Sequence, residues 1–165
     1  MTPPTHDEAD LKQVKRVKAN PFELAGHVVQ PGERVQFDLP AANLYTNMPL
    51  NMPVEVIHGR YRGPVLLVCA AIHGDELNGV EIIRRMRSFR SLNRLHGTLV
   101  LVPVVNLFGF IHQSRYLPDR RDLNRCFPGS ERGGRLDGGV VRQLLGGVDF
   151  RRAFGTAVGF FISRS

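Results

Sequence analysis

Apolar and polar positions change their spacing several times along this chain, and each change marks an element. Over residues 7–18, DEADLKQVKRVK, Leu11, Val14 and Val17 recur at helical intervals, which predicts a short N-terminal helix. The Asn20-Pro21 step ends it, because a residue before proline is pushed out of the helical region. After a Pro31-Gly32 turn, Arg34 to Leu39 alternates polar and apolar residues as a half-buried strand does. Pro53 to Gly59 also alternates, with Val54, Val56 and His58 on one side and Glu55 and Ile57 on the other. Arg60 to Pro64 reads as a turn. Val65 to Ala70 and Thr98 to Val104 are then continuously apolar, as strands covered on both faces are. Between them, Leu77, Val80, Ile83 and Met86 make a helical stripe over Glu76 to Phe89, with arginines on the outer side. Strand, helix and strand form a βαβ unit, which predicts an α/β fold with a parallel sheet.

The pattern then dissolves. Asn106 to Ser130 reads as a loop dense in Arg, Asp and Asn, longer than the roughly 12–15 residues beyond which unstructured loops tend to be functional or disordered. The tail from Glu131 is rich in glycine and arginine and keeps no sustained period. Val140 to Leu145 fits a helix there, and Phe154 to Ile162 a strand or nothing. The expected division is therefore an N-terminal extension with short strands (1–52), a βαβ core (53–130) and an atypical tail (131–165).

Composition adds exclusions. Of 165 residues, 42% are hydrophobic and 22% charged, a globular mix with no apolar run near the roughly 18–20 residues of a membrane span. The first twenty residues hold Asp7, Glu8 and Asp10 and no signal-like apolar stretch, so a cytoplasmic protein without a membrane partner is expected. Cys69 and Cys126 are too few for a disulfide framework; Cys69 reads as a small buried hydrophobe. The net charge of +7 raises nucleic acid as a partner. No aromatic platform accompanies it, for there is no Trp and the three Tyr are scattered. Nucleic acid is not expected as the partner.

Two segments could carry chemistry. His73-Gly74-Asp75-Glu76 sits where the first buried strand gives way to the helix, the edge at which open α/β sheets bind ligands. Imidazole and carboxylate three residues apart across a glycine turn can converge, and both are zinc donors. Asp75 could orient the histidine or cap the helix. The plainer alternative is a turn whose carboxylates complement the helix dipole. The second segment, Arg115 to Arg125, offers four arginines whose forks suit a carboxylate, with Asn124 beside Arg125. Its plainer alternative is a solvated loop knitted by Arg–Asp pairs. His58 and His96 belong to no recognisable ligand spacing and read as ordinary strand or surface histidines.

Taken together, over roughly residues 20 to 130, Ala71-Ile72-His73-Gly74-Asp75-Glu76, Val105-Asn106-Leu107-Phe108-Gly109-Phe110, Arg115-Tyr116 and Asp122-Leu123-Asn124-Arg125-Cys126-Phe127-Pro128-Gly129 resemble the succinylglutamate desuccinylase/aspartoacylase family, a branch of the zinc carboxypeptidase superfamily. The resemblance implies the N-terminal part of a carboxypeptidase-like α/β fold, with a mixed or parallel sheet and flanking helices. It implies a Zn²⁺-dependent hydrolase that uses metal-activated water to cleave an N-acyl amide or ester of a carboxylate-bearing amino acid. On that resemblance His73 and Glu76 match two zinc ligands, and Asn124 and Arg125 match the pair that binds the substrate carboxylate. Arg115 matches the arginine that steadies the developing oxyanion, with Arg120 as the alternative on loop spacing.

The sequence departs from the pattern of the family it resembles further on. The resemblance places a third zinc-ligating histidine and a general-base glutamate downstream of the Asn-Arg pair. No histidine follows His112, and the only glutamate after Glu81 is Glu131. A fold incomplete at its C-terminus, through truncation or a frameshift, is therefore expected. An inactive remnant or carboxylate-binding module is the alternative function, and a basic nucleic-acid-associated protein the third.

Overall fold

The two continuously apolar runs become neighbouring strands at the centre of the molecule. The computed structural model describes residues 16–43, 47–125, 151–153 and 158–163. A small antiparallel hairpin, β1 (Phe22–Leu24) and β2 (His27–Val29), turns through Ala25 and Gly26, both in the left-handed region. The main sheet holds β3 (Arg34–Asn43), β4 (Pro49–His58), β5 (Tyr61–Ala70), β6 (His96–Val102), β7 (Arg151–Ala153) and β8 (Val158–Ser163), ordered β3-β4-β6-β5-β8-β7. It is mixed. β5 and β6 run parallel, joined by helix α1 (Asn78–Met86) as a βαβ unit, while the other pairings are antiparallel.

The absence of alternation in β5 and β6 follows from burial on both faces. Val65, Leu67 and Cys69 of β5 join Val100 and Val102 of β6 in one apolar layer, which the β1–β2 hairpin covers through Leu24 and Val29. Val68, Ala70, Leu99 and Leu101 point the other way and pack on Ile83 of α1, with Val80 and Met86 beside it. Each fully buried aliphatic side chain contributes about 1.5–3 kcal/mol, so the sheet's centre dominates the fold's stability. For the same reason both faces of β4 are buried from Val54 to His58, Glu55 included.

Several expectations need correction. The turn expected at Arg60–Pro64 is the start of β5; the reversal is confined to Gly59 and Arg60. That short link crosses beneath the start of β6, where a Cβ on Gly59 would lie 2.2 Å from the Leu95 carbonyl oxygen. Helix α1 is shorter than Glu76–Phe89, because the chain tightens into a 3₁₀ turn at Arg90–Arg94. The loop from Asn106 contains helix α2 (Leu107–His112) and a 3₁₀ turn at Leu123–Arg125. The helix expected over 7–18 lies outside the described residues except at its end, where Lys18 bridges to Tyr61 in extended form. Val140–Leu145 also lies outside them; of Phe154–Ile162, read as a strand or nothing, residues 158–162 fall in strand β8 and 154–157 lie outside the described residues. Cys69 is buried as a small hydrophobe, and no helix among the described residues is long and apolar enough to cross a membrane.

Candidate active site

The site forms where β5 ends. Ala71, the first residue beyond the strand, is buried with φ of 48°, a strained setting for a residue with a side chain. The backbone beside it is tied down: Val105 and Asn106 donate their N–H groups to the carbonyls of Ala70 and Ala71. The following turn is pressed against α2. A Cβ on Gly74 would lie 1.8 Å from the Gly109 carbonyl carbon, so only glycine lets the two segments meet. Asn106 is the buried clasp, its Oδ1 accepting from the Gly109 N–H and its Nδ2 donating to the Ile72 carbonyl. The Val105–Phe110 motif thus acts through packing and capping.

Held in this way, His73 is almost wholly buried, and both of its ring nitrogens meet carboxylates. Nδ1 lies 2.8 Å from Glu76 Oε1, and Nε2 lies 3.0 Å from Asp122 Oδ1. Asp122 also accepts from Arg115 Nη2 at 3.2 Å and from the Asn124 backbone N–H at 3.0 Å. Burial raises the Asp122 carboxyl pKa, but the His73 bond, the Asn124 N–H and the Arg115 guanidinium outweigh it and hold the group below the usual range. Arg115 reaches Glu76 as well, with Nη1 4.0 Å from Oε1.

The arginine loop reaches this cluster because two of its residues are apolar anchors. Leu117 and Leu123 are buried in the layer that holds β5 and β6, which brings Asp122 over His73. Arg–Asp pairs of the plainer kind occur as well, such as Arg121 Nε to Asp119 Oδ2 at 2.8 Å. Those hydrogen bonds keep the Asp119 carboxyl low despite its desolvation. Arg125 Nε is 3.9 Å from Asp122 Oδ2 and its side chain is otherwise open to solvent, while Asn124 is half-buried beside it. Arg120 sits in a left-handed turn, exposed, and among the described residues its side chain contacts no member of the cluster. Asp75 is exposed and caps nothing; α1 starts after Leu77 without a side-chain cap. His58 is a buried strand histidine, bonded through Nδ1 to Thr98 and through Nε2 to the Asn20 carbonyl, and His96 is exposed.

Asp122 is the residue that motif spacing did not single out. Forty-nine positions separate it from His73, and only the folded loop joins them. Its legible signal was a carboxylate beside a future buried leucine.

The donors suit zinc at two positions. An imidazole nitrogen and a carboxylate oxygen are its ordinary ligands, and the second oxygen of Glu76 is buried without a hydrogen-bond partner. A carboxylate behind the far ring nitrogen is the usual support of a zinc-bound histidine. No cluster of three or more metal-ligating side chains occurs among the described residues.

Part of the chain is similar to proteins already known. Residues 62–143 match the family model described as the succinylglutamate desuccinylase/aspartoacylase catalytic domain. Over 94 residues the chain is 32% identical to the N-alpha-acetyl-L-2,4-diaminobutyric acid deacetylase of Halomonas elongata, covering 56% of this chain and 26% of that one. Among solved structures, the product-bound ectoine utilization protein EutE of Ruegeria pomeroyi superposes with a TM-score of 0.58 at 27% identity, over 76% of this chain and 39% of that one. An aspartoacylase family protein from Mesorhizobium loti gives 0.57 at 27% identity, over 76% and 40%. The chain thus spans about a quarter of the curated relative and about two fifths of these structures.

Proposed function

The chain belongs to the succinylglutamate desuccinylase/aspartoacylase family, and from that premise we propose that its site is the metal- and carboxylate-holding part of a zinc-dependent deacylase. The reaction is hydrolysis of an N-acyl amide on an amino acid. The observation that carries the reading is the convergence of His73 Nδ1 and Glu76 Oε1 at the end of β5, with Asp122 behind the ring and Arg115 beside it.

Each residue has a distinct task. Asp122 accepts from Nε2 and so fixes the ring plane, leaving Nδ1 toward Glu76 as the ligating nitrogen. When bound there, zinc supplies an acidified water and a polarised carbonyl. Arg115 places a cation where negative charge grows on the acyl oxygen, a contribution of several kcal/mol in such sites. Asn124 and Arg125, at the open mouth, take the amino acid's carboxylate; the fork of Arg125 allows two parallel hydrogen bonds.

Zinc chemistry of this kind normally draws on three protein ligands and a general base. The sequence offers no histidine beyond His112 and no glutamate beyond Glu131. The 165-residue chain should therefore bind zinc weakly and hydrolyse little. The test is a zinc titration of the purified chain and of His73→Ala and Glu76→Ala, with hydrolysis assays on N-alpha-acetyl-L-2,4-diaminobutyrate and N-succinylglutamate. Weak binding lost in both variants is expected. Zinc affinity indifferent to His73→Ala would sink the reading. Turnover of about 1–10³ per second that vanishes in that variant would leave the deacylase standing and overturn the expected inactivity.

A further inference from the structure

The opposite end of β5 carries a cleft that the deacylase reading does not use. Ten strand residues at about 3.3 Å each separate the two ends. The cleft arises from an irregularity: β5 pairs Tyr61 with His96, then slips register before Val65 meets Thr98. Gly63 and Gly97 make this possible. Their backbones nearly touch, since a Cβ on Gly63 would lie 2.7 Å from the Gly97 nitrogen, and Gly97 takes φ of 86°. Such bulges re-aim side chains at sheet edges and next to binding sites. Here the bulge opens a cavity of about 600 Å³, within the range of small-molecule sites.

Its lining is one-sided in charge. Phe22 and Val65 give an apolar wall, His58, Tyr61 and His96 add rings, and Arg16 and Arg62 complete the lining; among the described residues no acidic side chain lines it. Tyr61 and His96 are 5.2 Å apart between ring centres, and the Arg16 guanidinium lies 5.6 Å from the Tyr61 centre. A guanidinium over a ring is held by attraction to the ring's face, and its N–H donors lie in its own plane. The arginines elsewhere are commonly neutralised: Arg34, Arg84, Arg87, Arg115 and Arg121 all pair with carboxylates. Among the described residues Arg16 and Arg62 pair with none. His58 is locked as wall by Thr98 and Asn20, and the backbone of Arg62 is pinned by its N–H to the Val17 carbonyl. Two uncompensated forks above an aromatic, apolar wall suit an anion with a flat body.

We propose that this cleft binds a small organic anion, a carboxylate or phosphate carried on a planar apolar group, independently of the metal-binding edge. Titrating the full 165-residue chain with benzoate and with phenyl phosphate, followed by amide NMR shifts, tests the site and distinguishes the two anion sources. Acetate, inorganic phosphate and benzyl alcohol serve as charge-only and body-only probes. Saturable shifts at Gly63 and Gly97 are expected for at least one aromatic anion, with a Kd of about 1 mM or tighter. Arg62→Ala and Arg16→Ala should each weaken binding about tenfold, and Arg62→Lys less, with the remaining spectrum unchanged. No saturable shift, or aromatic-anion affinity unchanged in Arg62→Ala, would overturn the proposal. So would charge-only probes binding as well as benzoate, or shifts confined to residues 115–125.

Discussion

His73 shows how a single side chain is fixed from both sides. Asp122 occupies one ring nitrogen and Glu76 the other, in a pocket that excludes nearly all solvent. The two carboxylates are not equivalent, because Asp122 is hydrogen-bonded by three groups while Glu76 keeps a buried oxygen without a partner. On the function proposed above, Asp122 orients the ring and Glu76 ligates. Asp122→Asn retains an acceptor but removes the charge that makes the imidazole a better donor to metal. Zinc affinity of the chain should fall by about 10–100-fold, as it does when such supports are lost. Competition with a zinc-binding dye measures this, and the thermal midpoint should stay where it was. Equal affinity in the variant would reduce Asp122 to a member of the loop's ion pairs.

At the scale of elements, α1 is too short to be stable by itself, since helices below about 12–15 residues are marginal in water. Ile83 anchors it to the sheet, and its outer face is tied by Glu81, which accepts from Arg84 Nε at 2.6 Å and Arg85 Nε at 2.7 Å. These bonds hold the Glu81 carboxyl at about 2, against an ordinary 4.5. A depressed carboxyl pKa stabilises the folded state fully above the unfolded value, and the benefit disappears as pH falls through the folded one. Amide protection in α1 should therefore decline between pH 4.5 and about 2, following Glu81. A carboxyl NMR titration with its midpoint near 4.5 would contradict this. The pair is exposed, so salt should weaken the effect.

Across the whole molecule, one buried charge joins three elements. Glu55 of β4 is almost fully buried; it accepts a hydrogen bond from Arg34 of β3 and is ion-paired with Arg87 at the end of α1, while Arg34 Nη1 also donates to the Arg87 carbonyl. The arginines keep a third to almost half of their side-chain surface in water, so the cost of breaking the cluster depends on which member is removed. Glu55→Gln leaves guanidinium groups that solvent can reach, and should cost about 1.5–3 kcal/mol of stability, the range of a charge-assisted hydrogen bond. Replacing both Arg34 and Arg87 by leucine leaves a carboxylate buried without a partner, and should cost more, about 3–5 kcal/mol. Urea unfolding of the two variants checks the order. A double variant no less stable than Glu55→Gln would show that Glu55 reaches water by rearrangement.

Local patterning in the sequence determined the central βαβ unit. The apolar runs of β5 and β6 and the Val80, Ile83 and Met86 stripe of α1 are read correctly because burial on both faces leaves no polar residue to interrupt them. It also put His73 and Glu76 together, since three residues across a glycine turn leave little choice of arrangement. Tertiary structure decided what depends on distant chain. The 60–64 segment looked like a turn because Gly63 and Pro64 are turn residues, yet Gly97 from the next strand makes room for it to continue as a bulged strand. The alternation placed Glu55 on one side of its strand with Ile57, and its ion-pair partners Arg34 and Arg87 arrive from other elements. Asp122 became His73's partner because Leu117 and Leu123 sink into the sheet and carry the loop with them. Sequence periodicity records the environment of a residue's own element. Which distant groups complete a site is set by how the elements close on one another.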